Sequence, residues 1–271
     1  MSKFQSSSML RKLANNSYRA IDNGAYETEK YTSKTHQSLS LHAPIISCSH
    51  APIIAEIKFA SPSIGLIGSV DVGDAKQIAA TMISAGAIGL SVLTQPFLFN
   101  GSIETLSIVR KVSALPLVMK DITVSEVQID AAKALGADYI LLIKAIFDQH
   151  LAEGSIERFA EYAMKKDVRI ILEVHTGIEF EEILTVNKNI HAIIGINNRN
   201  LESLEVDIHN TEALLTKYAK GENIVVSESG IVEASDIRRL RNVGADAFLI
   251  GTSIMAADNV GAKLRELYLS L

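Results

Sequence analysis

Charged and amide residues close several aliphatic runs of this chain. The first, Ile53 to Ser63, reads I-I-A-E-I-K-F-A-S-P-S. Side chains on a strand alternate between faces, so Ile54, Glu56 and Lys58 point the same way. Later runs repeat the arrangement. Val118 shares a face with Lys120; Ile171 with Glu173 and His175; Ile193 with Gly195, Asn197 and Arg199. Charge left unpaired among aliphatic side chains is costly, so these groups pair with one another or serve a ligand. A lysine and a glutamate brought together in such a place can give and take protons, which is general acid–base chemistry. Each residue also has a plainer reading. Glu56 and Lys58 can form an ion pair on an edge strand, and Glu173 can pair with a lysine for structure alone. Lys120 can carry its charge out to solvent, His175 can be a hydrogen-bonding core residue, and Lys144 can lie at a rim. Asn197 and Arg199 fit poorly on an interior face unless they bind something.

The elements that position these residues are regular. Apolar, β-rich runs begin near Pro52, Gly89, Pro116, Asp138, Val168, Ala192, Asn223 and Ala247. Helical patterns separate them, near residues 71–85, 102–112, 124–135, 148–166, 177–187, 207–219, 233–242 and 258–270. Gly86, Gly136 and Gly244 stand just past helices, as C-terminal glycines do. The phrases A-G-A, L-G-A-D and V-G-A-D precede three of the strands, an internal repeat of the helix-to-strand turn. Strand–helix alternation predicts an α/β fold with a parallel sheet, and without G-x-G-x-x-G after any strand a closed (β/α)8 TIM barrel is favoured over a doubly wound sheet. The active site of such a barrel lies at the C-terminal ends of the strands, which is where the charged residues fall. Residues 1–50 read as an N-terminal extension, with a helix capped by Ser8, carrying Leu10, Leu13, Ala14, Tyr18 and Ile21, and ended by Asp22-Asn23-Gly24. The remainder to His50 reads as loop with room for a short helix. The barrel is predicted over 51–271.

The last two strand ends look like an anion site. Ser229-Gly230 and Gly251-Thr252-Ser253 offer backbone N–H groups and hydroxyls where barrels commonly bind phosphate. The net charge of −5 gives no reason to expect nucleic acid or an anionic membrane as partner. The single cysteine, Cys48, excludes an internal disulfide and a multi-cysteine metal site. No apolar run reaches transmembrane length. The N-terminus lacks a signal-peptide core, and Asp22, Glu27 and Glu29 argue against a transit peptide. A cytoplasmic protein acting on a small phosphorylated molecule is expected, as a monomer with a dimer as the alternative.

The motifs I-A-E-I-K-F-A-S-P-S-I-G-L-I (54–67), L-S-V-L-T (90–94), F-N-G-S (99–102), M-K-D (119–121), L-E-V-H (172–175), I-G-I-N-N-R-N-L (194–201) and S-E-S-G-I (227–231) resemble those of indole-3-glycerol phosphate synthases, in the same order over about residues 52–256. The resemblance implies ring closure of 1-(2-carboxyphenylamino)-1-deoxyribulose 5-phosphate, with loss of carbon dioxide and water and with no metal or organic cofactor. It implies Lys120 as general acid and Glu173 as general base. Lys58 would bind the substrate carboxylate and assist proton transfer, and Glu56 would stabilise positive charge on the aryl amine. Asn197 and Arg199 would hold hydroxyl or anionic groups, Glu228 would complete the floor near the sugar, and Ser61, Ser229, Gly230, Gly251 and Ser253 would hold phosphate. Desolvation and neighbouring cations are expected to loosen the lysine proton. The family usually has phenylalanine where Ile122 stands, leaving Phe97 or Phe99 to meet the aryl ring. Phe59 and Ile64 replace basic residues, and the extension, which in this family helps cover the site, matches loosely. Two other readings compete: a related phosphosugar isomerase or aldolase, with Lys120 or Lys144 as a Schiff-base nucleophile, and a non-catalytic phosphometabolite-binding barrel.

Overall fold

The computed structural model describes residues 8–31, 36–61, 65–66 and 72–271, apart from the side chains at 61, 66 and 72. Ile64 and its neighbours at 62–63 lie outside the described residues.

Eight parallel strands close into a barrel: β1 (Ile53–Ile57), β4 (Gly89–Leu93), β5 (Leu117–Lys120), β6 (Tyr139–Ile143), β7 (Arg169–Val174), β8 (Ile193–Asn197), β9 (Val225–Glu228) and β10 (Ala247–Ile250). Each pairs with its sequence neighbour, and β1 closes the ring against β10 and β4. The strands start within two residues of the predicted positions. The period of two decides which side chains enter the barrel. Ile54, Val118, Tyr139, Leu141, Ile171, Ile193, Val226 and Leu249 form an inner cluster, while Ile53, Ala55, Ile57, Leu90 and Val92 face the surrounding helices. One feature of the β1 exit was not foreseen, a two-stranded antiparallel pair made by β2 (Ala60–Ser61) and β3 (Gly65–Leu66).

The outer helices are α3 (Ala75–Ser84), α4 (Ile103–Val112), α5 (Glu126–Leu135), α6 (Lys144–Asp148), α7 (Ile156–Lys165), α8 (Gly177–Ile190), α9 (His209–Lys217), α10 (Ala234–Asn242), α11 (Thr252–Met255) and α12 (Val260–Tyr268). The helix predicted over 148–166 starts only at Ile156, as α7, and the short α6 before it ends at Asp148. Ser155 sets that start, its hydroxyl accepting from the Arg158 N–H. Helix α5 begins with a capping box in which Gln128 reaches back to the N–H groups of Val124 and Ser125.

The N-terminal segment touches both ends of the barrel. Helix α1 (Met9–Asp22) is capped by Ser8 as predicted, and its first N–H groups also donate to the Glu202 carboxylate. Its Leu10, Leu13 and Ala14 join the cluster that holds Ile122, Val124, Ile143, Ile146 and Leu151, at the C-terminal ends of β5 and β6. Helix α2 (His42–Ser47) serves the opposite end. Leu41 and Ile45 pack with Ile54 and Tyr139, and the Leu41 N–H donates to the Tyr139 hydroxyl. Gly89 makes room there, since a Cβ would stand 2.7 Å from Leu41 Cδ2.

Candidate active site

The inward faces of the strands deliver their last residues into one cavity of about 290 Å³ at the C-terminal end of the barrel. Its wall includes Glu56, Lys58, Lys120, Glu173 and Asn197, together with Phe99, Arg199, Glu228, Ser229, Gly230, Gly251 and Ser253. The strand parity read from the sequence therefore converges on a single place. The Ser61 side chain lies outside the described residues.

At the centre is a lysine among carboxylates. Lys120 Nζ lies 2.9 Å from Glu173 Oε2 and 3.2 Å from Glu228 Oε2. The first contact is a hydrogen bond; the second is an ion pair lacking hydrogen-bond geometry, and it leaves both Glu228 oxygens without a hydrogen-bond partner among the described residues. Asn197 Nδ2 donates to Glu173 Oε1 at 2.9 Å, so both oxygens of Glu173 are fixed. Lys58 Nζ pairs with Glu56 Oε1 at 3.1 Å, two residues away on the same face of β1. Asn197 also accepts from the Arg199 N–H, while the Arg199 guanidinium donates to the Leu204 carbonyl.

Two glycines make this crowding possible. At Gly195, opposite Glu173 in the register, a Cβ would lie 2.3 Å from Glu228 Oε1. At Gly251 a Cβ would lie 2.7 Å from Glu56 Oε1 and 2.8 Å from Lys58 Cδ. Gly251, expected as a phosphate-loop residue, thus also clears space for the first charged pair. Ser229 and Gly230 both adopt left-handed backbone, with φ of 69° and 81°. A serine there is strained, a feature that clusters at ligand sites. The Ser253 hydroxyl donates to the Ile231 carbonyl.

The electrostatics differ from expectation in one respect. Burial works to loosen the Lys120 proton, but Glu173, Glu228 and Glu56 outweigh it and raise its pKa above the ordinary lysine value. The neighbours are carboxylates rather than cations, because Lys58 is itself paired with Glu56. Lys120 is therefore charged at neutral pH. Glu228 gives way in turn. Burial raises its pKa to about 7 and the carboxylates of Glu173 and Glu56 add to that, against the pull of Lys120. A proton is thus held near neutrality in the cluster. A lysine held charged is a poor amine nucleophile, which weighs against a Schiff base at Lys120. Lys144 ion-pairs with Asp148 and Glu182, away from these groups.

Behind Lys120 lies a network that the sequence reading missed. Asp121 points to the opposite face of β5 and is buried. Its carboxylate accepts from the Thr94 hydroxyl, the Tyr26 hydroxyl at 2.8 Å, the Ile122 N–H at 2.8 Å and Gln128 Nε2 at 3.2 Å. Burial raises the Asp121 pKa to about 6 against these donors. The network ties the ends of β4 and β5, the start of α5 and the N-terminal segment together beside the lysine. The only sequence signal was an acid directly after Lys120. His175 plays the plainer role weighed for it, since Nδ1 is 2.8 Å from the Asn197 carbonyl. Ile122 lines the cavity with Phe99, Leu201, Val206 and Val232, whereas Phe97 packs beneath the Arg19 guanidinium, 4.3 Å from its ring centroid. Among the described residues, Phe99 is therefore the aromatic ring of the cavity wall.

Fold and site together define a (β/α)8 barrel with a buried acid–base cluster at the C-terminal ends of its strands. The chain belongs to the indole-3-glycerol phosphate synthase family, whose model matches residues 13–267. It is 39% identical over 215 residues to the indole-3-glycerol phosphate synthase of Methanocaldococcus jannaschii, covering 79% of this chain and 77% of that protein. It is 42% identical over 216 residues to that of Aquifex aeolicus, covering 79% and 80%. Among solved structures, a 3-hexulose-6-phosphate synthase superposes with a TM-score of 0.61 at 14% identity, over 81% of this chain and 99% of that one. That likeness speaks to the barrel fold alone. Among the described residues, no helix is long and apolar enough to cross a membrane.

Proposed function

We propose that this chain performs the indole-3-glycerol phosphate synthase reaction, a carboxy-lyase reaction, on 1-(2-carboxyphenylamino)-1-deoxyribulose 5-phosphate. The observation that carries the residue roles is the Lys120–Glu173 pair, 2.9 Å apart and steadied by Asn197 inside the cavity. In the first step the ring carbon bearing the carboxylate attacks the ketose carbonyl. Negative charge grows on the carbonyl oxygen, and Lys120 gives it a proton. A lysine whose proton is held tightly still serves, because the transfer follows the charge as it develops on the carbonyl oxygen. Carbon dioxide then leaves and the ring regains aromaticity. In the last step the new hydroxyl takes a proton from Lys58 and departs as water while Glu173 takes a proton from the five-membered ring. Glu228, with a pKa of about 7, is a reservoir from which Lys120 regains its proton.

The remaining residues bind. Lys58 meets the substrate carboxylate and assists proton transfer, and its partner Glu56 faces the aryl amine as positive charge develops there. Asn197 and Arg199 hold the hydroxyl and anionic groups, and Phe99 lies against the aryl ring. Ser61, Ser229, Gly230, Gly251 and Ser253 take the phosphate. Charges fixed in advance around the reacting oxygen supply the main stabilisation, and proton transfer by positioned groups adds typically about 10²–10⁴-fold. The same reading treats residues 1–50 as an extension packed on a barrel spanning 51–271, acting as a monomer in the cytoplasm.

The test is indole fluorescence on mixing purified protein with the substrate. The chain contains no tryptophan, so an indole signal comes from product. Its appearance supports the lyase. Substrate binding without signal supports the non-catalytic barrel, and neither binding nor signal refutes the reading.

A further inference from the structure

Gln95 stands just beyond β4 in the cavity wall and has no role in the reaction as described. It is 1% exposed, and among the described residues neither its Oε1 nor its Nε2 has a hydrogen-bond partner. A primary amide carries two donors and an acceptor. Leaving them all unpaired inside a protein is unfavourable, and a buried unpaired group at a site calls for a ligand as its explanation.

The backbone around Gln95 is fixed, so the side chain is aimed. The Gln95 carbonyl accepts from the Gly101 N–H at 2.9 Å, and the Thr94 N–H donates to the Lys120 carbonyl at 3.2 Å. The Thr94 side chain turns the other way, to Asp121. Strand alternation then puts Gln95 on the inward face with Ser91 and Leu93. The register says what lies beside it. Leu93 is opposite Lys120 on one side, and Val92 is opposite Ile57 on the other, next to Lys58. Gln95 therefore stands one step outward from Leu93, between the strand ends that carry two ammonium groups.

We infer that Gln95 contacts the substrate directly, its amide N–H groups donating to the aryl carboxylate. A group flanked by two cations is suited to an anion, and the two donors of an amide match carboxylate oxygens. Neutrality matters as well. This carboxylate leaves as uncharged carbon dioxide, so a third cation would stabilise the starting state against that loss. An amide orients the carboxylate while adding no charge. The inference rests on the reaction proposed above, which indole formation by the parent protein tests separately.

The experiment measures binding of two unreactive ligands to the parent, Gln95→Leu and Gln95→Glu proteins. One is the substrate with its ketone reduced to an alcohol; the other is the same compound without the aryl carboxylate. Gln95→Leu is expected to weaken the carboxylated ligand by about 10- to 100-fold, the value of a hydrogen bond to a charged group. It should leave the ligand lacking the carboxylate unchanged. Gln95→Glu should weaken the carboxylated ligand further, by like-charge repulsion. Thermal melting of the ligand-free proteins supplies the second readout. Gln95→Leu removes an unpaired polar group and should melt no lower than the parent. Equal losses for both ligands, or no loss for either, would overturn the assignment. So would a clear drop in melting temperature, which would mean that the amide has a partner within the protein.

Discussion

Replacing Tyr26 by phenylalanine removes one hydroxyl and leaves the ring. That hydroxyl donates to Asp121 at 2.8 Å inside the protein and is itself approached by Gln128 Nε2 at 3.3 Å. A hydrogen bond to a buried charged group is worth about 1.5–3 kcal/mol. The loss should depend on pH, with a sign set by Asp121. Burial holds the folded-state pKa of Asp121 at about 6, above its unfolded value, so folding favours the protonated acid. Its contribution to stability is greatest at acid pH and declines as pH rises towards about 6. Removing a donor from the ionised form raises that pKa further and extends the decline to higher pH. The variant should therefore lose only about 0.5–1.5 kcal/mol at about pH 5, where the carboxyl is protonated and the lost hydrogen bond is a neutral one, and about 1.5–3 kcal/mol at about pH 8, or about 3–12 °C in melting temperature. Urea unfolding at both pH values is the assay. An equal loss at both would show that the hydroxyl does not act through the Asp121 carboxylate, and no loss at the higher pH would refute the network as a source of stability.

Two further expectations follow from the crowded charges. The parent should show an inflection in kcat/KM near pH 7 from Glu228, and Glu228→Gln should remove it, as a pH–rate profile will tell. Gly195→Ala would put a methyl 2.3 Å from Glu228 Oε1; chemical denaturation should show a loss of about 1–3 kcal/mol, and turnover should fall because Glu228 moves off Lys120.

Much of the barrel and its cluster could be read from the chain because both rest on a period of two. Ile54-Glu56-Lys58 and Ile171-Glu173 have their facing set by strand geometry alone, and β-rich runs mark where each strand begins. Features that depend on contacts between distant segments were not legible. Tyr26 and Asp121 are 95 positions apart, and no local pattern joins them. The raised pKa of Lys120 depends on three carboxylates from three strands, a count that becomes visible only once the ring is closed. The helix start after Ser155 was within reach, since Gly154-Ser155 is a cap signal set inside an apolar pattern that suggested continuity. Gly195 and Gly251 illustrate a middle case: their positions read as strand and loop, but the side chains they clear space for come from other strands.

The central claim is that Lys120 drives ring closure and Glu173 drives dehydration. Following carbon dioxide release and indole formation together in a single turnover separates the two steps. With Glu173→Gln, carbon dioxide release should persist while indole formation slows by about 10²–10⁴-fold. With Lys120→Met, both signals should be lost together. Indole formation at the parent rate in the Glu173 variant, or carbon dioxide release at the parent rate in the Lys120 variant, would contradict the assignment.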